Sequence, residues 1–145
     1  MHHVVLRRFF QAIKRGVGTG IRSGLGLSAA RAFVREGARV GCVGRDAEKV
    51  EAVTGELGAN VRAMAADASE PATAPAAIEL ALREFSGFHG LYHVAGGSGR
   101  RQGDGPLHEI SDEGWDFTLQ LNLTSAFYSN RAAVRQLLAQ GTGGT

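Results

Sequence analysis

The sequence predicts an α/β fold in which helices cover both faces of a doubly wound parallel sheet, three layers stacked α/β/α. Two observations carry that expectation. Short apolar runs alternate with helical stretches of ten or more residues, the pattern of successive βαβ units. A glycine-rich loop, Thr19-Gly20-Ile21-Arg22-Ser23-Gly24-Leu25-Gly26, opens the first of those helices. Glycine has no Cβ and accepts positive φ, so such a loop turns tightly and presents bare N–H groups. The adjoining helix aims its positive end at the same place, which suits a phosphate. On glycines alone the signal is weak, because 21 of the 145 residues are Gly; its force comes from the residues placed downstream at the right distances.

Each element can be read in turn. Residues 25–36 form a helix with Leu27, Ala30 and Val34 on one face and Gly37 as its C-cap. Residues 38–43 make a short buried strand, and Asp46 caps a second helix to about Leu57. Residues 61–66 are extended and end at Asp67; Ser69-Glu70-Pro71 opens a helix to about Phe85, with proline tolerated in the first turn. Residues 90–94 form a strand that empties into the small-residue loop Ala95-Gly96-Gly97-Ser98-Gly99. After a polar loop, Ser111 caps a long helix through Gln140.

Length, composition and charge set the outer bounds. A chain of this size suits one domain with a real core, and 43% hydrophobic with 21% charged residues fits a soluble globular protein. The single cysteine, Cys42, forms no intrachain disulfide, so a reducing, cytoplasmic setting is expected. No apolar run approaches a membrane span. Sixteen basic residues against fourteen acidic ones, net +2, make no dedicated nucleic-acid patch. The charge is uneven, however: Arg7, Arg8, Lys14, Arg15, Arg22, Arg31 and Arg35 all precede the first acidic residue, Glu36. Residues 1–17 fit either a basic amphipathic targeting helix or an irregular, mis-started N-terminus; because a globular motif begins at once, residues 1–18 are read as the latter.

In a doubly wound sheet ligands sit beyond the carboxyl ends of the strands. Those ends are the 19–26 loop, Gly44-Arg45, Asp67-Ala68 and Ala95-Gly96. Where a dinucleotide fingerprint places a ribose-reading acid, this chain has Gly44 followed by Arg45. A guanidinium in place of a carboxylate favours NADP(H) over NAD(H), since arginine forks two bonds onto a phosphate. The plainer reading of Arg45 is a solvated residue at a helix start. Asp67 suits an adenine amino group or a helix entry, and Arg22 either assists the cofactor or faces solvent.

Taken together, Thr19-Gly20-x-x-x-Gly24-x-Gly26, Gly44-Arg45-Asp46, Asp67-Ala68-Ser69, Ala95-Gly96 and Asn122-Leu123 resemble the N-terminal part of a short-chain dehydrogenase/reductase, in the family's order and approximate spacing. The resemblance covers residues 19–145 and implies a partial NAD(P)-binding Rossmann-type domain, incomplete at its C-terminal side. It implies hydride transfer between a nicotinamide and a small-molecule carbonyl or alcohol, and homo-oligomers. Cofactor contacts then fall to Gly20, Arg22, Ser23, Gly24, Leu25, Gly26, Arg45, Asp67, Ala68, Ala95 and Gly96. Asn122 matches the family's helix asparagine, which supports a proton-relay water. The plainer reading is an inward polar residue at a helix kink. Asn122-Leu123-Thr124 is also a glycosylation sequon, set aside because no secretory signal accompanies it.

Three departures from the family's pattern stand out. The central strand should lie just before Thr19, yet residues 13–18 make a poor buried strand, with two charges costly in mid-sheet if unpaired. The loop usually written Asn-Asn-Ala-Gly is His93-Val94-Ala95-Gly96, so the hydrogen bonds of the strand-end asparagine must come from elsewhere. His89 and His93, four apart, lack a carboxylate or thiol at ligand spacing, so no metal is expected. Last, the catalytic Tyr-x-x-x-Lys does not occur: Phe10 and Arg45 stand four places before the two lysines, and the family's serine would follow the next strand. The chain is therefore expected to be inactive alone, with an open edge at residues 90–94 that favours aggregation or oligomers. A non-catalytic dinucleotide-binding or regulatory module is the competing reading. No Gly-Lys-Ser/Thr follows the glycines, which sets aside a phosphate-loop NTPase.

Overall fold

The computed structural model describes residues 14–20 and 24–145. Four strands, β1 (Arg15–Thr19), β2 (Arg39–Gly44), β3 (Val61–Ala65) and β4 (Gly90–Tyr92), form one parallel sheet in the order β3-β2-β1-β4. Helices α1 (Gly24–Arg35) and α2 (Ala47–Leu57) cover one face. Helices α3 (Thr73–Phe85) and α5 (Ser125–Gln140) cover the other, and α4 (Asp112–Leu119) continues into α5 through a π turn, Gln120–Thr124. The two faces hold separate cores divided by the alternation of the strands. On β2, Val40 and Cys42 pack with Phe33, Val50 and Val53, whereas Val43 packs with Val17, Ala77, Ile78 and Phe85. This is the three-layer, Rossmann-like α/β arrangement that the sequence predicts.

The first departure resolves in favour of a strand. The stretch expected to be irregular up to Gly18 is ordered as β1 from Arg15, paired with β2 on one side and β4 on the other. Its charges stand at the strand entry rather than in mid-sheet. Lys14 is exposed and precedes the strand, and Arg15 is half-buried and donates from Nη1 to the Ser86 carbonyl at 3.3 Å. Only Gly16 to Thr19 are buried, so neither charge is desolvated unpaired. The proposed targeting or irregular character of residues 1–13 lies outside the described residues.

Local capping follows the sequence closely. The Asp46 carboxylate accepts from Lys49 N at 3.3 Å, and Gly37, at φ 82°, closes α1 with its N–H on the Val34 carbonyl at 3.0 Å. Helix α3, however, starts at Thr73 instead of Ser69. The Asp67 carboxylate accepts from both Ser69 N (2.9 Å) and Ser69 Oγ (2.7 Å), and Thr73 Oγ1 donates to the Asp67 carbonyl (2.6 Å). Those local bonds hold the chain in turns and delay the helix. Strand β4 stops at Tyr92, two residues short of expectation, because the Val94 and Ala95 amides turn to the Thr19 hydroxyl.

The outer edge of β4 is not wholly open. Thr145 N donates to the His89 carbonyl at 2.8 Å, and Leu91 N donates to the Thr145 carbonyl at 3.0 Å, so the last residue pairs there as a parallel strand would. Cys42, at the centre of β2, is fully buried, and that burial pushes its thiol up to about 12. The thiol should stay unlabelled by aromatic disulfide reagents at neutral pH until denaturant unfolds the sheet. Rapid labelling of the native chain would show that the α1/α2 layer does not seal β2.

Candidate functional site

At the carboxyl end of the sheet the strand ends surround a cleft of about 270 Å³. Gly20 lines it after β1, Val43 and Gly44 at the end of β2 with Arg45 just beyond, Ala66 to Ala68 after β3, and Val94 to Gly96 after β4; Leu25 and Leu121 complete the wall. A sheet that changes winding direction opens such a crevice, and here it falls between β1 and β4.

Most of the residues expected from sequence converge on this cleft. Gly20, Leu25, Arg45, Asp67, Ala68, Ala95 and Gly96 line it directly. Leu25 stands largely exposed at its mouth. Gly24, at φ 62°, has open space where a Cβ would stand, and Gly26 is buried inside α1 rather than in the cleft wall. Arg22 and Ser23 lie outside the described residues.

Arg45 and Asp67 face each other, Nη1 to Oδ2 at 3.8 Å. Burial alone would raise the Asp67 carboxyl, but the Ser69 hydrogen bonds and the nearby Arg45 charge outweigh it and hold the group below its ordinary range. Asp67 is therefore an anion at neutral pH. The pair is partly exposed, and such pairs contribute only ~0.2–1 kcal/mol, so a competing anion opens it at small cost.

Asn122 sits in the π turn and does not line the cleft. Its Oδ1 accepts from Gly97 N at 3.0 Å, and its Nδ2 donates to the carbonyls of Gly97 and Thr118, each at 2.9 Å. A π turn is a usual device for re-aiming a residue at a functional site. Here it turns the amide onto the loop that follows β4, and the side chain is a clamp on Gly97.

Sequence reasoning did not find the polar contacts behind the cleft. The Thr19 hydroxyl oxygen accepts from Val94 N (3.0 Å) and Ala95 N (3.2 Å) and also meets His93 Nδ1 at 3.1 Å. On the far side of the imidazole, Nε2 lies 3.3 Å from Ser125 Oγ, which donates to the Leu121 carbonyl at 2.6 Å. Thus at the position of the family pattern's strand-end asparagine this chain places His93, joined to Thr19 on one side and Ser125 on the other. The His93 substitution was visible in the sequence, but its partners come from residues 74 and 32 positions away.

Gly20 shows how tight this junction is. At φ 72° it is in the left-handed region, and an added Cβ would stand 2.9 Å from Ala95 N and 3.0 Å from the Val94 carbonyl carbon. Gly20→Ala should destabilise the chain by ~1–2 kcal/mol from backbone conformation alone, with a further cost for displacing Ala95. Urea unfolding checks this; a midpoint unchanged from the parent would contradict the close approach of β1 and β4.

The donor set suits a dinucleotide. Bare backbone stands at Gly20 and Gly24, a carboxylate is held ionised by local bonds, and a guanidinium needs little energy to move. Known proteins bear on the same region. A family model described as short chain dehydrogenase matches residues 16–145. The chain belongs to the short-chain dehydrogenase family. The match starts inside β1, in keeping with that strand's place in the sheet. D-threitol dehydrogenase of Mycolicibacterium smegmatis is 33% identical over 128 residues, 86% of this short-chain dehydrogenase chain and 48% of the relative. The 3-ketoacyl-(acyl-carrier-protein) reductase of Brucella melitensis, whose crystal structure is a complex with NADH, matches with a TM-score of 0.76 at 29% identity. That match covers 87% of this chain and 50% of that one. A short-chain dehydrogenase/reductase of the glucose/ribitol dehydrogenase type, also from Brucella melitensis, gives 0.77 at 31% identity, over 88% and 53%. The chain spans about half the length of the curated relatives it matches.

Proposed function

We propose that this chain is the cofactor-binding portion of an NAD(P)(H)-dependent oxidoreductase that transfers hydride between a nicotinamide and a small carbonyl or alcohol, with NADP(H) preferred. The observation that carries the reading is the cleft itself, where Arg45 and Asp67 face each other across from the backbone of Gly20 and Ala95-Gly96. The relatives' names, a sugar-alcohol dehydrogenase and an acyl-chain ketone reductase, support hydride chemistry on carbonyls and alcohols. The bound cofactor would accept or donate the hydride.

The chain's own residues supply binding and orientation. Gly24, with open space where a Cβ would stand, leaves room for a pyrophosphate beside α1, and Asp67 accepts from an adenine amino group. Arg45 swings from Asp67 onto a ribose 2′-phosphate, a bidentate contact worth more than the exposed pair it leaves. The proposed contribution of Asn122 to catalysis is to hold Gly97, and with it the loop after β4 that would help hold the cofactor.

The second reading is a non-catalytic dinucleotide-binding module. Calorimetry with NADPH and NADH, followed by turnover assays on cyclic and sugar alcohols, separates the two: binding with no turnover selects the module. In either case Arg45→Ala should weaken NADP+ binding by about tenfold or more while changing NAD+ binding less than about threefold, the size expected for loss of a charge-assisted phosphate contact. Equal losses for both would remove the NADP(H) preference.

Homo-oligomerisation belongs to the same reading. Phe127, Val134 and Leu138, all more than half exposed, line one stripe of α5 at helical spacing. Light scattering should find a dimer or larger, returned to monomer by combined Phe127→Glu and Leu138→Glu; a monomeric parent would refute it. Among the described residues no helix is long and apolar enough to cross a membrane, and a cytoplasmic enzyme is proposed.

A further inference from the structure

We propose that His93 is a positioning residue. As a neutral imidazole protonated on Nε2 and bare at Nδ1, it ties the end of β1 to the long helix and so holds the cofactor-facing backbone of Val94–Gly96 and Leu121 in register. The proposal rests on the dinucleotide reading for its consequence, though not for its geometry.

The direction of every hydrogen in this relay is fixed by its ends. The Thr19 oxygen has two lone pairs, and the Val94 and Ala95 amides occupy both. It meets His93 Nδ1, 3.1 Å away, only by donating its own hydrogen, so Nδ1 must be the acceptor. At the other end the Leu121 carbonyl can only accept, and it takes the Ser125 hydroxyl hydrogen at 2.6 Å. The Ser125 oxygen is left with lone pairs toward Nε2 at 3.3 Å, so Nε2 must carry the proton. Two independent ends demand the same tautomer.

The two hydroxyls that the ring joins lie in the protein interior. Thr19 and Ser125 are almost completely buried, at 2% and 0% exposure, so removing the imidazole leaves a hydroxyl donor and a hydroxyl acceptor without partners. Burial also holds the ring's pKa below its ordinary value and so favours the neutral form, outweighing a hydrogen bond to the Ala95 backbone that acts in the opposite direction. The network touches three walls of the cleft: β1's end at Thr19–Gly20, β4's exit at Val94–Ala95, and the π turn at Leu121. The two ring nitrogens of His93 span from Thr19 at the end of β1 to Ser125 on α5.

The first measurement is made on the full chain without ligand. Nitrogen-15 spectra of the His93 ring at neutral pH should show Nδ1 as an unprotonated acceptor and Nε2 as N–H. The reverse tautomer, or rapid averaging of the two, overturns the proposal. The second is amide hydrogen exchange. His93→Phe, which fills the ring volume without polar atoms, should speed exchange at Val94 and Ala95 by about tenfold or more while leaving Cys42 and Val43 in β2 unchanged. His93→Asn, whose amide oxygen occupies the Nδ1 position, should restore most of that protection. Unchanged exchange at Val94 and Ala95, or no rescue by asparagine, sinks the idea. If His93→Phe does not fold, His93→Asn with Ser125→Ala still tests each end: Ser125→Ala should loosen Leu121 and the π turn first. Finally, NADP+ affinity should fall about tenfold in His93→Phe and recover in His93→Asn. Absence of any dinucleotide binding by the parent chain would count against the proposed function alone, since the ring spectra and exchange rates decide the strut without it.

Discussion

The short strand β1 is the constraint on which the rest of the molecule depends. Among the described residues it is the only strand whose two neighbours belong to different halves of the chain, and its last residue, Thr19, gathers the exit of β4 with a single oxygen. Gly20 follows at once and allows the two backbones to touch. A Cβ added at Gly20 would press on the Ala95 amide, so the junction has no room for extra bulk there. A parallel sheet exposes its carboxyl-end backbone to whatever binds there, so the precision of the site is set by how firmly strand ends are held, more than by the helices around them.

That priority explains which parts of the fold were legible. Asp46, Gly37 and Ser111 act through bonds to residues within a few positions, and the sequence pattern alone located them. Strand β1 was obscured because Lys14 and Arg15 crowd its entry and two of its five residues are glycine; only its neighbours in the sheet reveal it as central. The late start of α3 was hidden for the opposite reason. Asp67 looked like a ligand-binding acid at a strand end, and its capture of Ser69 reorganises the residues up to Thr73.

The candidate site divides along the same line. Small and charged residues at strand ends were recognisable by position, because topology puts strand ends together whatever the details. The use made of them was less legible. Asn122 spends its amide on Gly97 because the π turn rotates it there, and no periodicity announces a π turn. His93 was visible as an exception, but its meaning depends on Ser125, which in sequence is one small residue in a helix among several. Exceptions to a pattern are informative only once the partner that compensates them is known.

The sheet pairing has a consequence for how the cleft comes into being. Gly18 meets Cys42 on one side, 24 residues away, and Tyr92 on the other, 74 residues away. Closing the longer loop carries about 1 kcal/mol more chain entropy than closing the shorter one, by the logarithmic dependence of loop closure on length. The cleft's two walls therefore come from a local unit and a distant one, joined along three paired residues. A molecule lying across that seam would fasten the two halves together by preferring the joined form, so occupancy and assembly rise together.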